Sequence, residues 1–459
     1  MEQITKPHCG ARLDRLPDCR WHSSMFAIVA FGLLVCWSSA VGGLILAQLK
    51  ALGWTDNSTT ATFSEITTAG MFLGALVGGI IGDKTGRRNA FILYEAIHIA
   101  SMVVGAFSPN MDFLIACRFV MGVGLGALLV TLFAGFTEYM PGRNRGTWSS
   151  RVSFIGNWSY PLCSLIVMGL TPLISAEWNW RVQLLIPAIL SLIATALAWR
   201  YFPESPRWLE SRGRYQEAEK VMRSIEEGVI RQTGKPLPPV VIADDGKAPQ
   251  AVPYSALLTG VLLKRVILGS CVLIAMNVVQ YTLINWLPTI FMTQGINLKD
   301  SIVLNTMSMF GAPFGIFIAM LVMDKIPRKT MGVGLLILIA VLGYIYSLQT
   351  SMLLITLIGF FLITFVYMYV CYASAVYVPE IWPTEAKLRG SGLANAVGRI
   401  SGIAAPYAVA VLLSSYGVTG VFILLGAVSI VVAIAIATIG IETKGVSVES
   451  LSIDAVANK

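Results

Sequence analysis

Gly79-Ile80-Ile81-Gly82-Asp83-Lys84-Thr85-Gly86-Arg87-Arg88 is a short, charged, glycine-bounded segment between two long apolar blocks, 60–82 and 89–108. A worn copy, Asp324-Lys325-Ile326-Pro327-Arg328-Lys329, separates the blocks at 301–323 and 331–348. An apolar run of about twenty residues spans a bilayer, so each copy reads as a tight turn between two membrane helices. Outward from these turns the same pattern gives twelve helices, at 24–47, 60–82, 89–108, 112–137, 148–172, 181–202, 265–292, 301–323, 331–348, 352–377, 391–413 and 418–440. The expected fold class is therefore all-α integral membrane, with twelve helices in two pseudo-symmetric six-helix bundles. Both turns hold the same relative place in their halves. Repeats of this kind place a solute site between the halves, near the bilayer midplane.

Composition agrees. Of the 459 residues, 56% are hydrophobic and 13% charged, and the mean hydropathy is +0.72, too little charge to cover a soluble protein of this size. The formal net charge of +8 is spread over short inter-helix segments rather than a basic stretch with aromatics, which argues against nucleic acid. Lys84, Arg87, Arg88, Arg143, Arg145, Lys325, Arg328, Lys329, Lys387 and Arg389 fall on one side and few basic residues on the other. By the positive-inside rule that side is cytoplasmic, with both termini. The expected domains are a cytoplasmic tail (1–23), a first bundle (24–202), a cytoplasmic central loop (203–264), a second bundle (265–441) and a cytoplasmic tail (442–459). Within the central loop, the periodicity from Ser205 to Glu227 predicts short amphipathic helices on the membrane surface. Cys9, Cys19, His8 and His22 match no zinc spacing, so the N-terminal tail reads as reduced and metal-free. No nucleophile–base pair, metal cluster or phosphate loop is visible, and an enzyme is not expected.

Charges and polar groups inside the membrane ask for a partner or a task. Arg399 lies roughly 13 Å into helix eleven at 1.5 Å per residue, with Asn395 one turn below and no acid on its own helix. It suits a carboxylate or sugar hydroxyls, or an ion pair with another helix. Asn157 and Tyr160 on helix five, Asn277, Gln280, Tyr281 and Asn285 on helix seven, and Tyr372 on helix ten could line the same cavity. The alternative for them is helix–helix packing and interface anchoring. Glu65 and Arg118 sit at similar depth in helices two and four, as a structural pair or as proton carriers. Glu95 and His98, one turn apart on helix three, read as structural.

The 79–88 segment resembles the signature loop of the major facilitator superfamily. Other segments are similar to motifs of its sugar-porter branch: Arg118-Phe119 with Gly122, Gly124 and Gly126; Glu138 with Arg145-Gly146; Pro203-Glu204-Ser205-Pro206-Arg207-Trp208-Leu209; Pro379-Glu380-Ile381-Trp382-Pro383-Thr384-Glu385 with Arg389-Gly390; and Glu442-Thr443-Lys444-Gly445, where Ile441 replaces the usual proline. The resemblance implies that Asp83, Arg87, Arg88, Glu138, Arg145, Glu204, Arg207, Asp324, Glu380 and Arg389 form a charged latch for one alternating-access state. It also implies a proton-binding acid on helix one, where this chain has none between Phe26 and Leu46, and paired glutamines on helix seven, where it has Ala275 and Met276. The expected function is uptake of a sugar, polyol, sugar acid or related organic acid by proton symport. Passive uniport, drug export and a transporter-like sensor are the alternatives. No cofactor is expected. The partners are the solute, a proton and the lipid bilayer, with the chain acting as a monomer in a bacterial inner membrane.

Overall fold

The computed structural model describes residues 7–17, 19–35, 41–55, 57–140, 145–240, 254–323, 325–382 and 386–443. Among them every regular element is helical. Ten stretches are long and apolar enough to cross a membrane. The last of these, Arg389–Ile439, is two crossings joined at Gly417, whose φ of 65° and ψ of −160° suit only glycine. Helix one is described over Arg20–Val35 and Gly42–Ala51. The twelve expected crossings are therefore present.

Two helices break where a proline withholds its N–H from the carbonyl four residues back. Helix five divides into Arg145–Asn157 and Ser159–Leu170 ahead of Pro161, and helix eight into Leu298–Met309 and Gly311–Val322 ahead of Pro313. Helix ten, Met352–Val370, continues into a π-helical turn, Cys371–Tyr377, just before Pro379.

The chain forms two compact units: Met1–Ser39, Ala69–Ser159 and Arg181–Gly246 in the first, and Ala40–Thr68, Tyr160–Trp180 and Lys247–Lys459 in the second. In the first unit, helix two (Asn57–Thr85) lies on helix four (Met111–Tyr139) through glycines. A Cβ on Gly70 or Gly74 would sit 2.3 Å or 2.0 Å from the carbonyl oxygens of Phe119 and Val123, the close approach that small residues permit between membrane helices.

The tail and central loop of this unit correct the sequence expectation. Cys9–Asp14, Pro206–Ser211 and Tyr215–Thr233 form helices that pack on each other through Cys9, Leu13, Leu16, Trp208, Leu209, Met222, Ile225 and Val229. The apolar face of the amphipathic segment is thus covered by the N-terminal tail. Arg12 pairs with Glu219 and, at 2.7 Å, with Glu226; Arg15 pairs with Glu226 at 2.6 Å, and Arg207 with Asp14 at 3.0 Å.

The second unit carries the outer parts of helices one, two and five together with the C-terminal half of the chain. Here helix seven (Gly260–Thr293) is the hub. Gly43 of helix one lies on its backbone, where a Cβ would meet the Ile284 oxygen at 2.6 Å. Gly398 and Gly402 of helix eleven lie against Leu273, Asn277 and Tyr281. Ala61 of helix two packs with Trp286, Ile290, Val409, Ala410, Leu413 and Val421.

Candidate functional site

At the charged turns the side chains act first as caps. The first four N–H groups of a helix lack partners within it, and a carboxylate placed there meets both the N–H donors and the positive end of the helix dipole. Helix three, Arg87–Ala106, starts on Glu204, which accepts from the Arg87 and Arg88 N–H groups at 2.7 Å and 3.3 Å. Helix nine, Arg328–Ser347, starts on Glu442 in the same way, at 2.7 Å from the Arg328 N–H and 3.1 Å from that of Lys329. Arg328 also forks onto Glu380 at 3.0 Å and 3.1 Å, and Thr443 donates to Glu380 at 2.6 Å. Among the other expected latch residues, Arg88 donates to the Trp199 carbonyl at 2.6 Å, while Arg207 is held by Asp14 of the tail. Arg87 and Arg389 are both half-buried. The side chains of Asp83, Glu138 and Arg145, and all of Asp324, lie outside the described residues. Glu442 and Thr443 were legible as a motif, but not as a cap and its neighbour.

In mid-membrane, helix eleven carries the clearest signal. Residues spaced by three and four share one helix face. Along that face Gly392 and Asn395 are exposed, Arg399 and Ile403 half-buried, and Pro406, Ala410 and Leu413 buried. The buried end packs on helices two and seven, and burial falls off along this face toward the start of the helix. Arg399 sits where the face passes from exposed to buried, twelve residues from the helix start at Lys387, about 18 Å at 1.5 Å per residue. No hydrogen bond or ion pair from a described residue engages its guanidinium. Asn395 is exposed, with its amide donating to the Ser391 carbonyl at 2.9 Å.

The remaining candidates separate into two groups. Tyr160 of helix five and Tyr367 of helix ten meet edge to face, with ring centroids 5.7 Å apart. Gln280 and the Tyr160 hydroxyl face the Tyr367 hydroxyl, and Tyr281 lies close to both rings. The Tyr367 oxygen is buried without a well-formed hydrogen bond. Tyr367 was visible in the sequence only as one of several tyrosines on helix ten. Asn277, by contrast, donates to the Leu273 carbonyl at 2.7 Å and packs against Gly398. Asn285 is buried where helix one crosses. Tyr372 stacks on Tyr377 at 5.0 Å with its hydroxyl against Gly332 of helix nine. Each of these three faces a glycine of a neighbouring helix, which leaves room for its side chain. In the first unit, Asn157 is half-buried and donates to the Ser153 carbonyl at 2.8 Å.

Glu65 is buried in the N-terminal third of helix two. Its polar neighbour is the Tyr407 hydroxyl of helix eleven, which also bonds Thr62, and its Oε2 has no hydrogen-bond partner. In the first unit, Arg118 is buried, with Nη1 3.5 Å from the Met121 sulfur. Glu95 and His98 are fully buried side by side on helix three, 3.6 Å apart.

Among known proteins, the chain is 99% identical to YdjK of Escherichia coli (strain K12) over 459 residues, all of both chains. It is 44% identical to the inner membrane metabolite transport protein YdjE of the same organism over 455 residues, 98% of this chain and 99% of that one. Among solved structures, the xylose transporter XylE from E. coli in an inward open conformation matches with a TM-score of 0.74 at 17% identity, covering 94% of this chain and 99% of the other. Residues 24–455 match the family described as sugar (and other) transporter. With twelve membrane helices and ordered motifs, the chain belongs to this sugar-porter family of the major facilitator superfamily and is a multi-pass membrane transporter, not an enzyme.

Proposed function

We propose that the protein takes up a small anionic metabolite, a sugar acid or related organic acid, by proton symport across a bacterial inner membrane, with both termini cytoplasmic and the chain acting as a monomer. The observation that carries this reading is Arg399: a half-buried mid-helix guanidinium with no partner among the described residues. An arginine in the hydrocarbon is costly unless it meets a counter-charge, and a carboxylate solute supplies one through a two-pronged hydrogen-bonded contact. Gln280, Tyr281, Tyr160 and Tyr367 offer hydroxyls and an amide for the rest of a polyhydroxylated solute. Asn157 and Asn395 lie on the same two helices as Tyr160 and Arg399 and complete the proposed site. The two bundles, 24–202 and 265–441, alternate about it. The latch residues of the basic face, Glu204, Arg207, Glu380 and Arg389 among them, hold one end of the cycle.

Uptake of labelled sugars, polyols and sugar acids into inside-filled vesicles, with and without an inward proton gradient, tests the reading. Acidic solutes should accumulate, and a protonophore should abolish the accumulation. Arg399→Gln should weaken an acidic solute about 10- to 100-fold, the worth of one charge-assisted contact, and leave a neutral polyol nearly unchanged. Equal loss for both would refute the anchor. The second reading, passive uniport, is favoured by the absence of any acid in helix one between Phe26 and Leu46, and predicts equilibration without accumulation.

A further inference from the structure

Within the second unit, the outer parts of helices one, two and five are joined to the C-terminal half. Gly43 lies on the backbone of Ile284, Asn305 donates to Ser164 at 3.3 Å, and Ala61 sits among Trp286, Ile290, Val409 and Leu413. This is the closed form of the face opposite the basic turns. Glu65 lies in that closure. It is 7% exposed, it faces Tyr407 across the joint, and one of its carboxyl oxygens has no partner. No ion pair from a described residue engages Glu65; the charge at similar depth on helix four is the buried Arg118, which is not among its partners. Between Arg265 and Thr293 helix seven has no charged residue, and beyond Arg399 helices eleven and twelve have none. Arg399 itself is eight residues from Tyr407 along helix eleven, about 12 Å. Lys50 stands at the far end of helix one. The groups that do face Glu65 are a phenol and, through it, the Thr62 hydroxyl. Neither can balance a carboxylate.

We propose that Glu65 is a proton-binding site of this gate, with Tyr407 as its positioning residue, so that helix two closes on helix eleven only when Glu65 carries a proton. A neutral carboxyl can donate one hydrogen bond and accept another, so it fits a joint made with a phenol. Opening the joint exposes the group to water, where the proton leaves to solvent. Proton binding and closure are then linked, because whatever binds the closed form better shifts the population toward it. This makes solute entry from the opposite face depend on a proton without any acid in helix one. The inference rests on the symport reading above.

Two measurements on purified protein in nanodiscs test it, and neither needs the solute. Infrared difference spectra against pH should show a protonated-carboxyl carbonyl band at neutral pH that is lost in Glu65→Gln and shifted in Tyr407→Phe. Absence of a Glu65-dependent band means an ionised Glu65 held by a cation, and overturns the proposal. Spin labels on cysteines placed at Ala51 and Ser415, both exposed at this face, should report a distance that lengthens as pH rises in the wild type and stays short at every pH in Glu65→Gln. An unaltered pH response in Glu65→Gln also overturns it. The symport reading fails separately: protonophore-insensitive accumulation in the vesicle assay would sink symport and leave the carboxyl band in place.

Discussion

Helices two and four in the first half cross as helices eight and ten do in the second. Gly70 and Gly74 lie under the carbonyls of Phe119 and Val123; Gly311 and Gly315 lie under those of Phe360 and Thr364, at 2.4 Å and 2.2 Å from an added Cβ. Each of these four residues is separated from its counterpart by the same number of positions, as are Arg87 and Arg328. At the basic ends the repeat persists with changed parts. Glu204 and Glu442 cap the same helix start, but the residue before each differs. Pro203 has no N–H, and Tyr139 donates to its carbonyl at 2.6 Å; Ile441 has one, and donates it to the Tyr377 oxygen at 3.0 Å. What the two halves share is backbone geometry: a glycine crossing and a capped helix. Which group donates across the tyrosine joint is free to change, and this explains how isoleucine can stand where the family pattern has proline.

The glycine crossings should give the largest effect. Gly74→Ala and Gly315→Ala each drive a Cβ into a backbone carbonyl that belongs to a neighbouring helix and cannot rotate aside. Overpacking of this kind costs about 1–3 kcal/mol and more where backbone must shift, so both variants should lose monodisperse protein on size exclusion and unfold at lower temperature. A large loss in one half and none in the other would mean that the halves are not built on the same crossing.

A smaller effect is expected at the ends of helices nine and ten. Glu380→Gln keeps the acceptor for Thr443 but removes the charge opposite Arg328, whose side chain is 6% exposed. Loss of one charge-assisted contact of this type costs about 1.5–3 kcal/mol, at the low end here because Glu380 is about a third exposed. Thermal unfolding in nanodiscs measures it. Glu138→Gln sharpens the comparison: an equal loss there would place the same pair in the first half, at a side chain the structure does not describe.

Much of this was readable from residues alone. The span expected at 331–348 is Arg328–Ser347, and that expected at 112–137 is Met111–Tyr139, because a bilayer imposes a length that hydropathy records directly. Arg399 stood out because any charge in such a run does. Periodicity identifies an apolar face but not what covers it, so the docking of Cys9–Asp14 onto Tyr215–Thr233 was not visible, although Glu219 and Glu226, seven apart, already share one side of a helix. Tyr407 was not visible either, since an aromatic residue in an outer half-helix reads equally well as an interface anchor. The packing of Asn277 against Gly398 was not visible, because nothing in its own helix reveals the glycine opposite.

The tail is the part of the first half with no counterpart among the described residues of the second, and acid should remove it. Burial by itself would raise the carboxyls of Glu219 and Glu226, but the hydrogen bonds from Arg12 outweigh it, with Arg223 helping at Glu219 and Arg15 at Glu226, and both are held below the ordinary carboxylate range. A carboxyl depressed in the folded state contributes stability that is complete above its ordinary value and is lost as pH falls through the folded one. The contacts between tail and central loop should therefore hold at neutral pH and open below about pH 4, seen as faster amide exchange over 9–14 after correction for intrinsic rates. Burial also pushes the Cys9 thiol up to about 12, with Glu210 adding to it, so at neutral pH Cys9 should resist alkylation while the tail is docked. Arg12→Glu should open the tail without acid and speed Cys9 alkylation severalfold, because it sets a carboxylate against Glu219 and Glu226 in part-buried positions. Adding Glu226→Arg should restore only part of the protection, since the exchanged pair re-forms while Arg15 loses its carboxylate and Glu219 its arginine. Rapid alkylation of Cys9 in the wild type at neutral pH would show that the tail does not hold the central loop, and would leave the basic ends distinguished only by the direction of their tyrosine hydrogen bonds.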